Sequence, residues 1–187
     1  MYHLKQLITD ELVEKTDNRY QLTQKGLKFV DTLSLKNLKP RIQPKIITLL
    51  AVKNNSGKWL LYKRSRQPMF GKIGFPYGKI HLGEKIKEAA ERELLEKTGI
   101  EAKLNHKGDV YITTNSSNDL VSHVLLHIFT GKNPKGALLK ESDIGKCYWG
   151  SIKDIPEENI FLGLEDILKL IKTKNHFFEE LTYNIDN

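Results

Sequence analysis

Cysteine is nearly absent from this chain of 187 residues. Cys147 stands alone, so no disulfide can form within the chain. Its setting, Cys147-Tyr148-Trp149, reads as a buried strand, where a thiol packs rather than reacts. Long apolar runs are also missing. Stretches such as Ile46–Val52 are too short to span a bilayer, and Met1-Tyr2-His3-Leu4-Lys5-Gln6 has no apolar core of signal length. A cytoplasmic protein without membrane association is the expectation. No Walker A loop, Rossmann glycine fingerprint, glycine-rich cradle or Ser-His-Asp order is found. Negative charge is in short supply, with 23 Asp and Glu against 30 Lys and Arg, a formal net charge of +7. That surplus suits polyanionic ligands, but the lysines are spread along the chain, so it does not single out nucleic acid.

What is present is ordinary for a soluble domain: 39% hydrophobic and 28% charged residues. The length allows one α/β domain with a sizeable core plus a small appendage. Three regions are expected. Residues 1–33 hold a short helix over His3–Ile8, then Leu12–Lys15 and Tyr20–Leu22 flanking the polar turn Thr16-Asp17-Asn18-Arg19, a hairpin signal. Thr23 is placed to cap a helix from Gln24 that lines up Leu27, Val30 and Leu33. Residues 34–44, with Pro40 and Pro44, read as an extended linker. Residues 45–187 form the main domain. Strands are expected at Ile46–Val52, Trp59–Lys63, Ala102–Leu104, Val110–Thr113, Val121–Phe129 and Gly145–Trp149, and a closing helix at Leu164–Lys172.

The densest information lies in Gly78–Ile100. Gly78 is followed after five residues by Glu84, then after seven by Arg92-Glu93-Leu94-Leu95-Glu96-Lys97-Thr98-Gly99-Ile100. Glu84–Thr98 is rich in helix formers and free of proline, and Gly99 is a good C-terminal stop. Glu93 and Glu96, three apart, project from one helix face. Two carboxylates so placed suit a hard cation such as Mg²⁺, which takes oxygen ligands and keeps several waters. The loop Gly74-Phe75-Pro76-Tyr77-Gly78 approaches from the other side, where a backbone carbonyl can add a ligand. Glu88 and Glu91 read as a solvated helix surface.

The pattern resembles the Nudix box, which has a glutamate where this chain has Lys97. Trp59–Arg64 and Val124–Phe129 are similar to strands of that family, and Gly74–Gly78 is similar to its Gly-Phe-Pro-Gly-Gly run, with Tyr77 replacing a glycine. The resemblance spans Lys45 to about Leu170. It implies a Nudix-like α/β/α sandwich with a mixed sheet, here with a small N-terminal α+β segment. It also implies Mg²⁺-dependent hydrolysis, with Mn²⁺ as a substitute, of a pyrophosphate in a nucleoside diphosphate linked to another moiety. Carried over by position, Glu93 and Glu96 hold metal, with Glu93 also a candidate base, and Asp143 helps bind a further ion. Arg92 orients the glutamates, and Glu84 supports the site from the helix start. Arg64, Tyr77 and Gly78 are the candidate substrate contacts.

Lys97 turns a negative position positive, four residues after Glu93, the favoured orientation for a helical ion pair. The site then either binds one metal weakly and hydrolyses slowly, or binds nucleotide as a regulator with little chemistry, unless Lys97 snorkels outward. His81, in the box loop, is a candidate phosphate neighbour. Arg66 is a second candidate phosphate clamp. Phe70 and Phe75 are candidate base-stacking groups, with core packing the alternative for Phe75. His123 and His127 share a strand face but lack a third ligand at clear spacing. Residues 1–33 resemble the last helix and wing of a winged-helix DNA-binding domain, without the two helices that ordinarily precede them. Weak or absent DNA binding is expected, and packing on the main domain or homodimerisation is the alternative for that segment.

Overall fold

The computed structural model describes residues 2–17, 19–34, 36–37, 39–67, 69–117, 119–139, 141–142 and 145–185. The chain divides into two units, Met1–Gln43 and Pro44–Asn187. In the first, helix α1 (Tyr2–Thr9) precedes a hairpin of β1 (Val13–Thr16) and β2 (Arg19–Leu22), in register from Val13–Leu22 to Thr16–Arg19. Helix α2 (Gln24–Asp31) follows, and the Thr23 hydroxyl accepts from the Gly26 amide, as the capping position requires. After α2, Leu33 and Pro40 form an isolated antiparallel bridge.

In the second unit, β3 (Lys45–Val52) is followed by β4 (Trp59–Arg64), β5 (Ile73–Gly74) and β6 (Tyr77–Lys79). Then come α3 (Ile86–Thr98), the long strands β7 (Ile100–Ser116) and β8 (Asp119–Gly136), β9 (Glu141–Ser142) and β10 (Gly145–Gly150). Helix α4 (Leu164–Thr173) and β11 (Phe177–Asn184) complete it. A mixed five-stranded sheet runs β11-β7-β8-β3-β6, and an antiparallel sheet runs β5-β4-β10-β9.

Strand periodicity sorts the core. Along β3, Leu49 and Ala51 enter one apolar cluster, while Leu50 and Val52 enter another. The first is closed by Leu164 and Ile167 of α4, the second by Ala90 and Leu94 of α3. A central strand covered on both sides reads as a continuous apolar run, which is why β3 was legible. The expected α/β/α sandwich with a mixed sheet is the architecture found.

Three details differ from the sequence expectation. The three short strands expected between 102 and 129 are two long strands joined as a hairpin, because polar residues on their exposed stretches hide the continuity. The chain does not end at α4, since β11 adds in parallel to β7, with Phe177 opposite Gly108. The box helix begins at Ile86 and leaves Glu84 in the preceding turn. There the Glu84 amide donates to the His81 carbonyl (3.0 Å), and the His81 amide donates back to Glu84 Oε2 (3.0 Å).

Candidate functional site

The α3 face that holds the motif is organised by Arg92. Its guanidinium grips Glu84 through two bonds, Nε to Oε1 at 2.7 Å and Nη2 to Oε2 at 2.9 Å. Nη1 reaches Glu93 Oε1 at 2.9 Å and Glu96 Oε2 at 3.2 Å, and Nη2 also donates to the Lys79 carbonyl at 3.0 Å. A planar fork satisfying carboxylates in this way is among the stronger polar contacts. The bonds from Arg92, helped by the His81 amide, hold the Glu84 carboxyl down at about 2. The same contacts hold the Arg92 guanidinium well above its ordinary range, led by Glu84.

Glu93 sits beneath this clamp with a side chain only 8% exposed. Room for it exists because position 78 has no side chain: a Cβ on Gly78 would lie 1.9 Å from the Glu93 carboxyl carbon. Its second oxygen, Oε2, lies 3.0 Å from Lys97 Nζ, and Lys97 is 21% exposed. The Lys97 ammonium also donates to the Tyr77 main-chain carbonyl and lies 5.2 Å from the centre of the Tyr77 ring. Lys97 therefore does not snorkel outward. Glu96 is 62% exposed, and among the described residues Arg92 alone is found against it. Glu88 and Glu91 pair with Lys85 and Lys87 on the open helix surface.

Tyr77 and Arg64 come together, since Arg64 Nη1 donates to the Tyr77 hydroxyl. The rest of the Arg64 guanidinium braces its own loop, Nε to the Arg66 carbonyl (2.8 Å) and Nη2 to the Gln67 carbonyl (3.1 Å). Burial raises the Tyr77 phenol, against the lowering effect of Arg64 and Arg66. Its ring meets Tyr62 and Phe161 at centroid distances of 6.1 and 5.9 Å. Phe75 is buried against Trp59, so it packs in the core, whereas Phe70 is exposed. His81 contributes its amide to the Glu84 turn and leaves its ring exposed. Asp143 lies outside the described residues.

One row across the sheet runs Gly78, Thr48, His127, Asp109. His127 does acquire partners, but not His123, which stacks on Tyr111 at 4.3 Å. His127 Nδ1 and His106 Nε2 both meet Asp109 Oδ1, at 2.7 and 2.8 Å, a group whose ligand atoms lie within 4.8 Å of one another. Sequence reasoning missed it for a physical reason. Positions 106 and 109 would face opposite sides of a regular strand, and an irregularity between His106 and Gly108 restores them to one side. Beside His106, a cavity of about 920 Å³ is lined by Lys53, Trp59, Lys107, Lys132 and Lys172 among others, and no box residue borders it.

Cys147 is buried on β10, and its thiol is pushed up to about 11 by desolvation despite the Lys97 charge nearby. At pH 8 its thiolate fraction is then on the order of a hundredfold below that of a free cysteine. Labelling by a thiol reagent is expected to be slow in the native protein and fast in denaturant. Rapid native labelling at pH 8 would show that the thiol is not buried as described.

The NUDIX domain family model matches residues 43–171. The chain is 34% identical over 125 residues to an oxidized purine nucleoside triphosphate hydrolase of Danio rerio, covering 66% of this chain and 76% of that protein. It is 27% identical over 143 residues to an ADP-ribose pyrophosphatase of Bacillus subtilis (strain 168), covering 76% and 70%. Among solved structures, the mMutator MutT protein from Bacillus halodurans superposes with a TM-score of 0.64 at 27% identity, covering 75% of this chain and 90% of that one. The NUDIX domain of Shewanella oneidensis NrtR, complexed with ADP ribose, gives 0.58 at 17% identity over 81% and 97%, a likeness of fold alone.

Proposed function

Since the chain belongs to the Nudix hydrolase family, we propose that its box face binds a nucleoside diphosphate linked to another moiety and slowly hydrolyses the pyrophosphate. The observation that carries this reading is the Arg92 clamp, which holds three glutamates and sets Glu93 against the Gly78 gap. The two curated relatives, named for hydrolysis of a nucleoside triphosphate and of ADP-ribose, support the substrate class.

Nudix hydrolases generally use divalent metals. The residues present fit such an ion poorly at Glu93. Both of its oxygens meet cations, Arg92 and Lys97, and the Tyr77 carbonyl is taken by the same lysine. The chain's own groups then carry the reaction. A water oxygen attacks one phosphorus and the bridging P–O bond breaks. The departing phosphate keeps the electron pair. Lys97 supplies positive charge where negative charge grows. Glu96, the most open carboxylate of the clamp, takes the proton and returns it to solvent. Glu96→Gln is expected to lower kcat by about a hundredfold or more, with melting unchanged because the position is exposed. Release of nucleoside monophosphate from a mixed nucleotide panel is the measurement. Undiminished turnover by Glu96→Gln would remove Glu96 from the reaction, and no turnover of any panel member by the wild type would remove the hydrolase reading.

A second reading follows from Lys97: a nucleotide-binding regulator that retains its ligand intact, with residues 1–33 contacting DNA or a partner chain. Its seat between Glu93 and the Tyr77 carbonyl favours that reading. Ligand recovered unhydrolysed after prolonged binding separates it from the first.

A further inference from the structure

We propose that the Lys97 ammonium is a built-in cation that stands where a divalent ion would otherwise be held, so that the site takes a diphosphate without metal. The inference rests on the reading that the box face binds such a ligand, and it adds how that ligand's charge is met.

The oxygen set around Nζ is what a hard cation would choose: a nearly buried carboxylate oxygen and a main-chain carbonyl oxygen. The Tyr77 ring adds a π face at 5.2 Å, a further preference of an ammonium. Neither accepting oxygen is accidental in position. Glu93 reaches its place only because Gly78 has no Cβ. The Tyr77 carbonyl belongs to β6, fixed on β3 by the Leu49–Tyr77 pairing. The lysine stem is anchored by α3, where the Cys147 thiol meets the Lys97 carbonyl at 3.6 Å.

Charge balance points the same way. Glu93 carries one negative charge and already faces two positive groups. A divalent ion placed beside it would meet the Lys97 ammonium at contact range in a partly desolvated site, where like charges repel strongly. The ion could enter only if Lys97 left both of its oxygens. An ammonium has three donors, and the described residues engage two of them. The third is available to a phosphate oxygen. Unlike a bound ion, this cation cannot be chelated away.

The test compares wild type, Lys97→Met and Lys97→Glu by calorimetric titration with ADP-ribose in EDTA and in Mg²⁺. It is paired with Mn²⁺ titration followed by paramagnetic resonance. Wild type should bind ADP-ribose with affinities within about twofold in the two buffers. Lys97→Met, which keeps the helix and loses the charge, should lose about tenfold in EDTA. Lys97→Glu should lose at least as much in EDTA, recover in Mg²⁺, and bind Mn²⁺ about tenfold more tightly than wild type. The His106–Asp109–His127 group is common to all three proteins and cancels in that difference. Collapse of wild-type binding in EDTA, unchanged binding by Lys97→Met, or equal Mn²⁺ affinity in Lys97→Glu and wild type each overturns the inference. If wild type binds no ADP-ribose in either buffer, the function proposed above falls for this ligand, and the Mn²⁺ comparison alone decides the inference.

Discussion

Gly78→Ala is expected to destabilise the main unit by about 3 kcal/mol and to abolish the nucleotide binding proposed for the box face. The added Cβ would fall 1.9 Å from Glu93 Cδ and 2.0 Å from its Oε2. Glu93 cannot yield by a simple rotation, because Arg92 holds one oxygen and Lys97 the other. Expelling the carboxylate takes from Lys97 one of its two oxygens and leaves part of the Arg92 fork without a partner. Gly57→Ala is the useful contrast. Gly57 has a positive φ of 76° with nothing near its would-be Cβ, so its substitution carries backbone strain alone, about 1 kcal/mol. Urea denaturation separates the two. The origin of the Gly78 effect is checked by Glu93→Ala in the Gly78→Ala background. Removing the clashing carboxylate should restore part of the stability, a coupling between contacting residues. Strictly additive losses would mean that the Gly78 effect has another source.

Arg92→Met should have the next largest effect. The methionine keeps helix propensity and part of the stem, and removes every donor that Glu84, Glu93 and Glu96 share. Loss of a charged hydrogen bond to nearly buried Glu93 alone costs about 2–3 kcal/mol. The pH profile gives an independent readout. Glu84 is lowered from 4.5 to about 2, chiefly by Arg92 with help from the His81 amide, so it contributes stability that is fully present above pH 4.5 and is lost as pH falls from there toward 2. Arg92→Met should flatten that part of the acid profile, while a variant destabilised for unrelated reasons would keep it. Urea midpoints between pH 6 and pH 3 decide the matter, and an unaltered slope in Arg92→Met would show that Arg92 is not what holds Glu84 ionised.

Both effects involve pairs that are visible in the chain but not their geometry. The box spacing was plain in one dimension because a helix converts three- and four-residue offsets into one face. The Thr23 cap and the Gly99 stop were plain because each is a local hydrogen-bonding rule. Gly99 does end α3 in the left-handed conformation, with its amide bonded to the Leu95 carbonyl at 2.8 Å. The run Ile46–Val52 announced a central strand because burial on both faces leaves no polar alternation.

Other features could not be read that way, since each depends on which distant segments meet. Glu84 lies outside the helix because a reciprocal bond with His81 closes a turn just before it. Arg64 braces its loop and Tyr77, which only the fold brings within reach. The histidine–aspartate group exists because a strand irregularity reverses the facing of His106 and the β7–β8 register sets Asp109 opposite His127. The sequence by itself determined that Lys97 would stand on the same helix face as Glu93. Only the tertiary structure decided that its ammonium would turn inward, because the second oxygen that draws it there is a backbone carbonyl twenty residues away, delivered by strand pairing rather than by residue type.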